Sequence, residues 1–259
     1  MARVSMAKDG AIAVLTLDHP EKRNALSDAL ISELLSALDL VRTDSTRVVV
    51  VRARPEVTVW SSGHDIDELP SSRRDPLGWS EPLRALVQRL QNFPAPVIAL
   101  LEGGVWGGAC EVVFACDLIV ATPNVTFAIT PARLGVPYGL FGLQTLAGAM
   151  PRALLKELIY TAQPIPVQRA WALGLVNHVV PADSITDFTL DLARIIAANA
   201  PLTIAATKEQ LGLLDQSGGW ASADLERLQE LRRSIGESED YREGLAAFSE
   251  KRRPIFRGQ

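Results

Sequence analysis

The chain has 259 residues, 47% of them hydrophobic, and a formal net charge of −4. That length suits one domain with a small appendage, and the negative balance offers no basic field for nucleic acid. Two cysteines and three histidines without metal-ligand spacing leave no disulfide framework and no metal centre to expect, and no segment approaches the ~20 apolar residues of a membrane span.

The first residues carry Arg3, Lys8 and Asp9 and no long apolar run, so a reduced, cytoplasmic setting is expected. Residues 11–17 (AIAVLTL) read as a strand. Ser27 opens a helix with Asp28 in its first turn and a 3.6-period apolar face of Leu30, Leu34, Leu35, Leu38 and Val41. A strand at 47–53 leads toward a run of small residues, Trp60-Ser61-Ser62-Gly63-His64-Asp65-Ile66, with Asp65 near the start of a short helix. Residues 70–82, rich in Ser, Arg, Asp and Pro, read as a loop. A helix at 83–93 and a strand at 97–101 follow, then Gly103, Gly104, Gly107 and Gly108, and a helix at 109–115 that holds Cys110, with Cys116 just beyond it. Both cysteines read as buried small hydrophobes. Strands are expected at 118–121 and 125–129, and beyond Phe141 the pattern is nearly all helix, broken at Pro151, Pro164, Pro181 and Pro201. The division this predicts is an α/β part over 1–195 and an α-helical part over 196–259.

Two of these segments share one design. Each follows a strand, each is made of small residues, and each runs into the start of a helix. Glycine has no Cβ, so the backbone comes close to a ligand there, and helix starts present unpaired N–H groups. Two such loops can each aim one N–H at the same carbonyl oxygen. Asp65, Asp67 and Glu68 read as capping and solvating residues of a short helix rather than as metal ligands.

The segments PEKRNAL (20–26), SSGHD (61–65), GGACE (107–111), AWALGLV (170–176) and FSEKRRP (248–254), in that order, resemble the crotonase family, also called the enoyl-CoA hydratase/isomerase superfamily, along almost the whole chain. The resemblance implies a spiral of ββα units with an α-helical C-terminal trimerisation part, and a homotrimer or dimer of trimers. It implies an acyl-CoA thioester as substrate, with no separate cofactor, no metal and no nucleic-acid or membrane partner. The N–H groups of His64 and Gly108 match the family's oxyanion donors. Ser62, Gly63, Asp65 and Ile66 flank the first donor in the substrate-binding loop. Lys251 matches a position that approaches CoA phosphates, often across a subunit boundary, with a solvated tail lysine as the plainer reading, and Trp106 is expected to wall the acyl pocket, with core packing as its plainer reading.

What stands above the α-carbon decides the reaction. A hydratase of this family uses two glutamates. Glu111 matches the first, although it also reads as a first-turn acid favoured by the helix dipole. Aligned from Phe127 to Gly135, the second glutamate becomes Pro131, which has no proton to give. Nearby stand Thr130, Tyr138 and the His64 ring, candidates for orienting a carboxylate; packing and strand-ending are the plainer readings of Tyr138 and Thr130. The runs SGHDIDELP (62–70), VWGGACE (105–111) and TPARLGVPY (130–138), with RDPL (74–77) and ESEDY (237–241), resemble the branch that decarboxylates methylmalonyl-type CoA thioesters. Gly139 departs from that pattern, where a polar residue is expected. Arg133, the nearest cation in sequence, is expected to point away, because a full charge on the carboxylate would stabilise the ground state. The alternatives are a hydratase or isomerase working with Glu111 alone, and a non-catalytic acyl-CoA-binding member.

Overall fold

The computed structural model describes residues 2–69, 82–214 and 221–259. β1 (Val4–Asp9) and β2 (Ile12–Leu17) form an antiparallel hairpin that turns at Gly10, with φ +59. Helix α1 (Asp28–Arg42) is capped by Ser27, whose Oγ accepts the Leu30 N–H at 3.3 Å. It buries Leu30, Ile31, Leu34, Leu38 and Val41, each worth roughly 1.5–3 kcal/mol.

Three strand pairs follow, each leading to a helix. β3 (Val48–Ala53) and β4 (Val59–Ser61) precede α2 (Pro82–Gln91). β5 (Val97–Leu101) and β6 (Gly104–Trp106) precede α3 (Ala109–Phe114). β7 (Leu118–Ala121) and β8 (Thr126–Ala128) precede a 3-10 turn at Pro131–Leu134 and α4 (Leu140–Ala149). The remainder is α5 (Arg152–Thr161), β9 (Ile165–Pro166), α6 (Val167–Ala172), β10 (His178–Val179), α7 (Ile185–Ala197), α8 (Pro201–Leu214), α9 (Ser222–Glu237) and α10 (Glu239–Glu250).

The first strand of each pair joins a six-stranded sheet, ordered β1-β2-β3-β5-β7-β10, and the second joins a four-stranded sheet, ordered β4-β6-β8-β9. Apart from the β1–β2 and β8–β9 edge pairs, the strands run parallel. This repetition is the α/β spiral of ββα units expected from the family resemblance.

Side-chain alternation explains the layers. In β3, Val49 and Val51 enter the core between the sheets, α1, α2 and α3, while Val48 and Val50 face a second cluster under α7. β5 divides likewise, Ala99 and Leu101 on one side and Ile98 and Leu100 on the other. Helix α8 is fixed by Lys208, whose Nζ donates to Leu90 O (3.0 Å), Ala95 O (3.2 Å) and Asp117 Oδ2 (2.6 Å).

The structure departs from the sequence expectation at short or polar strands. β1 is exposed along nearly its whole length, so no burial alternation marks it. β4 and β6 lie inside segments read as loops, and β9 and β10 interrupt a region read as nearly all helix. Strands of two or three residues are too short to carry a period. The predicted loop at 70–82 and the RDPL stretch lie outside the described residues, except that Pro82 begins α2.

Candidate active site

The two glycine-bearing loops meet where β4 and β6, paired in parallel, both end. Gly63 has φ +85, and a Cβ there would stand 2.5 Å from Trp106 O, 2.8 Å from Gly108 N and 3.1 Å from Gly107 Cα. Only glycine supplies both that conformation and that approach. Gly107, at φ +56, is tied by its N–H to Ala128 O (2.8 Å). The Cβ position of Gly108 lies 3.8 Å from His64 N, so the two expected donors share one corner. The Gly108 N–H has no backbone acceptor among the described residues.

That corner opens into a cavity of about 540 Å³. Ser62, His64, Ile66, Gly108, Glu111, Thr130 and Tyr138 line it, gathered from segments up to 76 positions apart. Pro131, which the sequence comparison of Phe127 to Gly135 sets against a hydratase's second glutamate, lines it too, and proline has no side-chain proton to transfer.

Glu111 stands in the first turn of α3 and is only 7% exposed. A Cβ on Gly142 of α4 would meet its Oε2 at 2.5 Å, Cδ at 2.7 Å and Oε1 at 2.8 Å. The missing side chain at Gly142 therefore makes the room in which this carboxylate sits. Gly139, the N-cap of α4, also lines the cavity and supplies no side-chain cap. Thr130 marks the end of the β8 segment, and its carbonyl accepts the Arg133 N–H (3.0 Å) as the 3-10 turn begins.

The remaining expected residues are placed elsewhere. Gly63 is buried between the loops rather than on the cavity wall. Asp65 is turned toward Lys22, whose Nζ donates to Asp65 Oδ2 (3.1 Å) and Asp67 Oδ2 (2.9 Å), while Asp65 Oδ1 accepts the Asp67 N–H (3.1 Å). Burial opposes its ionisation, but the bonds from Lys22 and the Asp67 N–H outweigh that and hold its carboxyl below the usual range. Lys251 is exposed at the end of α10 and does not line the cavity of its own chain. In the ESEDY stretch, Ser238 caps α10 and buried Asp240 accepts the N–H groups of Arg257 (2.6 Å) and Gly258 (2.8 Å). Cys110 is fully buried, and burial pushes its thiol up to about 12, which makes it packing rather than a nucleophile.

One expectation is corrected. Trp106 is not on the cavity wall: its ring covers Gly104, and its Nε1 points to Thr126 Oγ1 at 3.5 Å. A strand residue next to one facing the site faces the other way. And although Arg133 is exposed and off the wall as expected, a different cation reaches the cavity. Arg84 of α2 lines it, with its guanidinium carbon 4.7 Å from the centre of the Phe141 ring. That cation–π contact joins two distant helices, and no local spacing could announce it.

Fold and site together define an acyl-CoA enzyme of the crotonase superfamily: the chain belongs to the enoyl-CoA hydratase/isomerase family, which it matches over residues 7–259. Among individual proteins, it is 44% identical over 255 residues to methylmalonyl-CoA decarboxylase of Escherichia coli strain K12, covering 98% of each chain. It also superimposes on methylmalonyl-CoA decarboxylase complexed with 2S-carboxypropyl-CoA, with TM-score 0.82, 44% identity, and 100% and 99% of the two chains covered. A complex of methylmalonyl-CoA decarboxylase with 2-nitronate-propionyl-CoA matches with the same TM-score, 0.82, and identity, 44%, over 99% of each chain.

Proposed function

We propose that this protein converts a methylmalonyl-CoA-type thioester to propionyl-CoA and CO2. Pro131 on the cavity wall carries the reading, because it removes one of the two proton-handling groups that water addition uses. The similarity to methylmalonyl-CoA decarboxylase supports it.

The N–H groups of His64 and Gly108 donate to the thioester oxygen. As the bond between the α-carbon and the carboxylate breaks, CO2 leaves and the electron pair moves through the α-carbon onto that oxygen. Removing one such donor typically costs roughly 10²–10³ in rate. The breaking bond has to stand perpendicular to the thioester plane, which is an orientation task. Thr130 and Tyr138 hydroxyls, with the His64 ring, perform it without a full charge that would hold the ground state. For that reason the reading puts the carboxylate on the Thr130–Tyr138 wall and not at Arg84. Water or the Tyr138 hydroxyl then delivers a proton to the α-carbon.

We also propose a homotrimer or dimer of trimers, in which Lys251 reaches the CoA phosphates of a neighbouring subunit. The absence of Lys251 from the wall of its own cavity supports this, as do Tyr160, Trp171 and Phe248, large apolar residues left exposed in the single chain.

One observation favours a second reading. Glu111 is buried on the cavity wall, as a hydratase or isomerase acid would be. Offering methylmalonyl-, malonyl- and crotonyl-CoA separately, and following CO2 and product mass, separates the two. The proposal expects CO2 and propionyl-CoA from methylmalonyl-CoA. Rapid hydration of crotonyl-CoA without CO2 release would overturn it.

A further inference from the structure

The loop that carries the His64 N–H is held by two side chains that never touch the cavity. Asn24 and Ser61 are both 0% exposed. Burying an amide and a hydroxyl costs free energy unless every group is paired, and here the pairing is directed. Ser61 Oγ donates to Asn24 O (2.7 Å) and accepts the Gly63 N–H (3.2 Å). The Asn24 amide donates to Trp60 O (2.9 Å), and its Oδ1 accepts the His19 N–H (2.8 Å). Asn24 itself takes φ +50, a conformation that non-glycine residues enter reluctantly and that asparagine tolerates best.

The chain of bonds accounts for the main-chain N–H groups of the two residues before His64. The Ser62 N–H goes to Arg23 O (3.0 Å), Gly63 N–H goes to Ser61, and Gly63 O accepts the Leu26 N–H (2.8 Å). With these turned inward, the next N–H in the chain, that of His64, is the one brought beside Gly108. A hydroxyl is needed at 61 because one atom must donate and accept at once. An amide is needed at 24 because its two ends do opposite work, which a carboxylate cannot.

We propose that Ser61 and Asn24 are positioning residues of the reaction: they aim the His64 N–H at the developing oxyanion. This rests on reading His64 and Gly108 as oxyanion donors. A merely structural role would weaken all ligands or none, whereas an aiming role weakens the ligand that carries the oxyanion's charge.

The test compares two probes on wild type, Ser61→Ala, Ser61→Thr and Ser61→Cys. Propionyl-CoA is a neutral thioester; 2-nitronate-propionyl-CoA delocalises negative charge onto the thioester oxygen. Wild type is expected to prefer the nitronate. Ser61→Ala is expected to lose about 10–100-fold of nitronate affinity, and a similar factor in kcat, less than the roughly 10²–10³ of outright donor removal. Its propionyl-CoA affinity stays within about twofold. Ser61→Thr, which keeps the hydroxyl, restores the preference. If Ser61→Ala does not fold, Ser61→Cys, a weak donor and acceptor, takes its place with a partial loss. A full nitronate preference in Ser61→Ala or Ser61→Cys, or an equal loss of both ligands, overturns the proposal. If wild type shows no nitronate preference, the oxyanion reading itself falls, and with it this inference.

Discussion

Replacing Gly63 with Ala tests the geometry of the site most directly. Two costs add at this residue. An L side chain at φ +85 costs roughly 1–2 kcal/mol of backbone strain. The new Cβ also stands 2.5 Å from Trp106 O, about 0.9 Å inside ordinary contact, and its other near neighbours, Gly108 N and Gly107 Cα, are backbone as well. No rotamer change relieves that clash, so the loops must separate. Overpacking of this kind costs about 1–3 kcal/mol. Together these give roughly 2–5 kcal/mol of stability. The separation moves the His64 and Gly108 donors apart by close to 1 Å, and a misplacement of that size costs about 10² in rate. We expect kcat for CO2 release from methylmalonyl-CoA to fall about 10²–10³-fold, with KM changed much less, since the donors act on charge that develops in the transition state. Gly10→Ala is the control. Gly10 has φ +59 with nothing within 4 Å of its Cβ position, so it should lose the same backbone term in urea unfolding and no activity. A Gly63→Ala enzyme within threefold of wild type in kcat, or a Gly10→Ala enzyme equally impaired, would refute the reasoning.

Glu111→Gln should leave CO2 release within about tenfold of wild type, well short of the ~10²–10⁴ lost with an essential acid or base, while Tyr138→Phe should cost more; initial rates on methylmalonyl-CoA decide between them. Lys251→Ala should raise KM more than it lowers kcat, since a phosphate contact is uniform binding, and light scattering at micromolar concentration should give at least three chains per particle. The C-terminal tail should loosen in acid. The Arg252 guanidinium, bonded through both terminal nitrogens, and the Ile255 N–H hold the Glu243 carboxyl down to about 2 from 4.5. A depressed carboxyl stabilises above its unfolded value and loses that contribution as pH falls from 4.5 toward 2. Limited proteolysis of the tail should therefore increase across that window in wild type and be pH-independent there in Glu243→Gln, with high salt reducing the difference.

How much of this is readable in the sequence depends on where the constraint resides. Gly63 and Gly107 are legible because a positive φ and a close backbone approach restrict residue type at the position itself. β2, β3 and β5 are legible because buried strands need runs that are nearly all apolar, and α1 because Ser27 and a 3.6-period face mark its start and its side. Pro131 is legible because an imino acid excludes proton transfer whatever surrounds it. Arg84 is not, since its place in the cavity depends on Phe141 in a helix far along the chain. Neither is the direction of Trp106, which follows from the unforeseen strand β6, nor the seat of Glu111, which depends on a glycine in α4. β9 and β10 escape notice because two-residue strands are defined by the sheet edge they join and hardly at all by their own composition.

The pairing of β4 with β6 has a consequence for how such a site can change over time. Neighbouring strands keep a spacing of about 4.8 Å whatever side chains they carry. His64 follows one strand by three residues and Gly108 follows its neighbour by two, so the distance between these N–H groups is ruled by main-chain hydrogen bonding. The sheet acts as a gauge block. Pro131, Tyr138 and Gly139 sit on a different segment, beyond β8 and outside that strand pair. A different reaction can therefore be built by rewriting one turn while the two N–H groups keep their spacing.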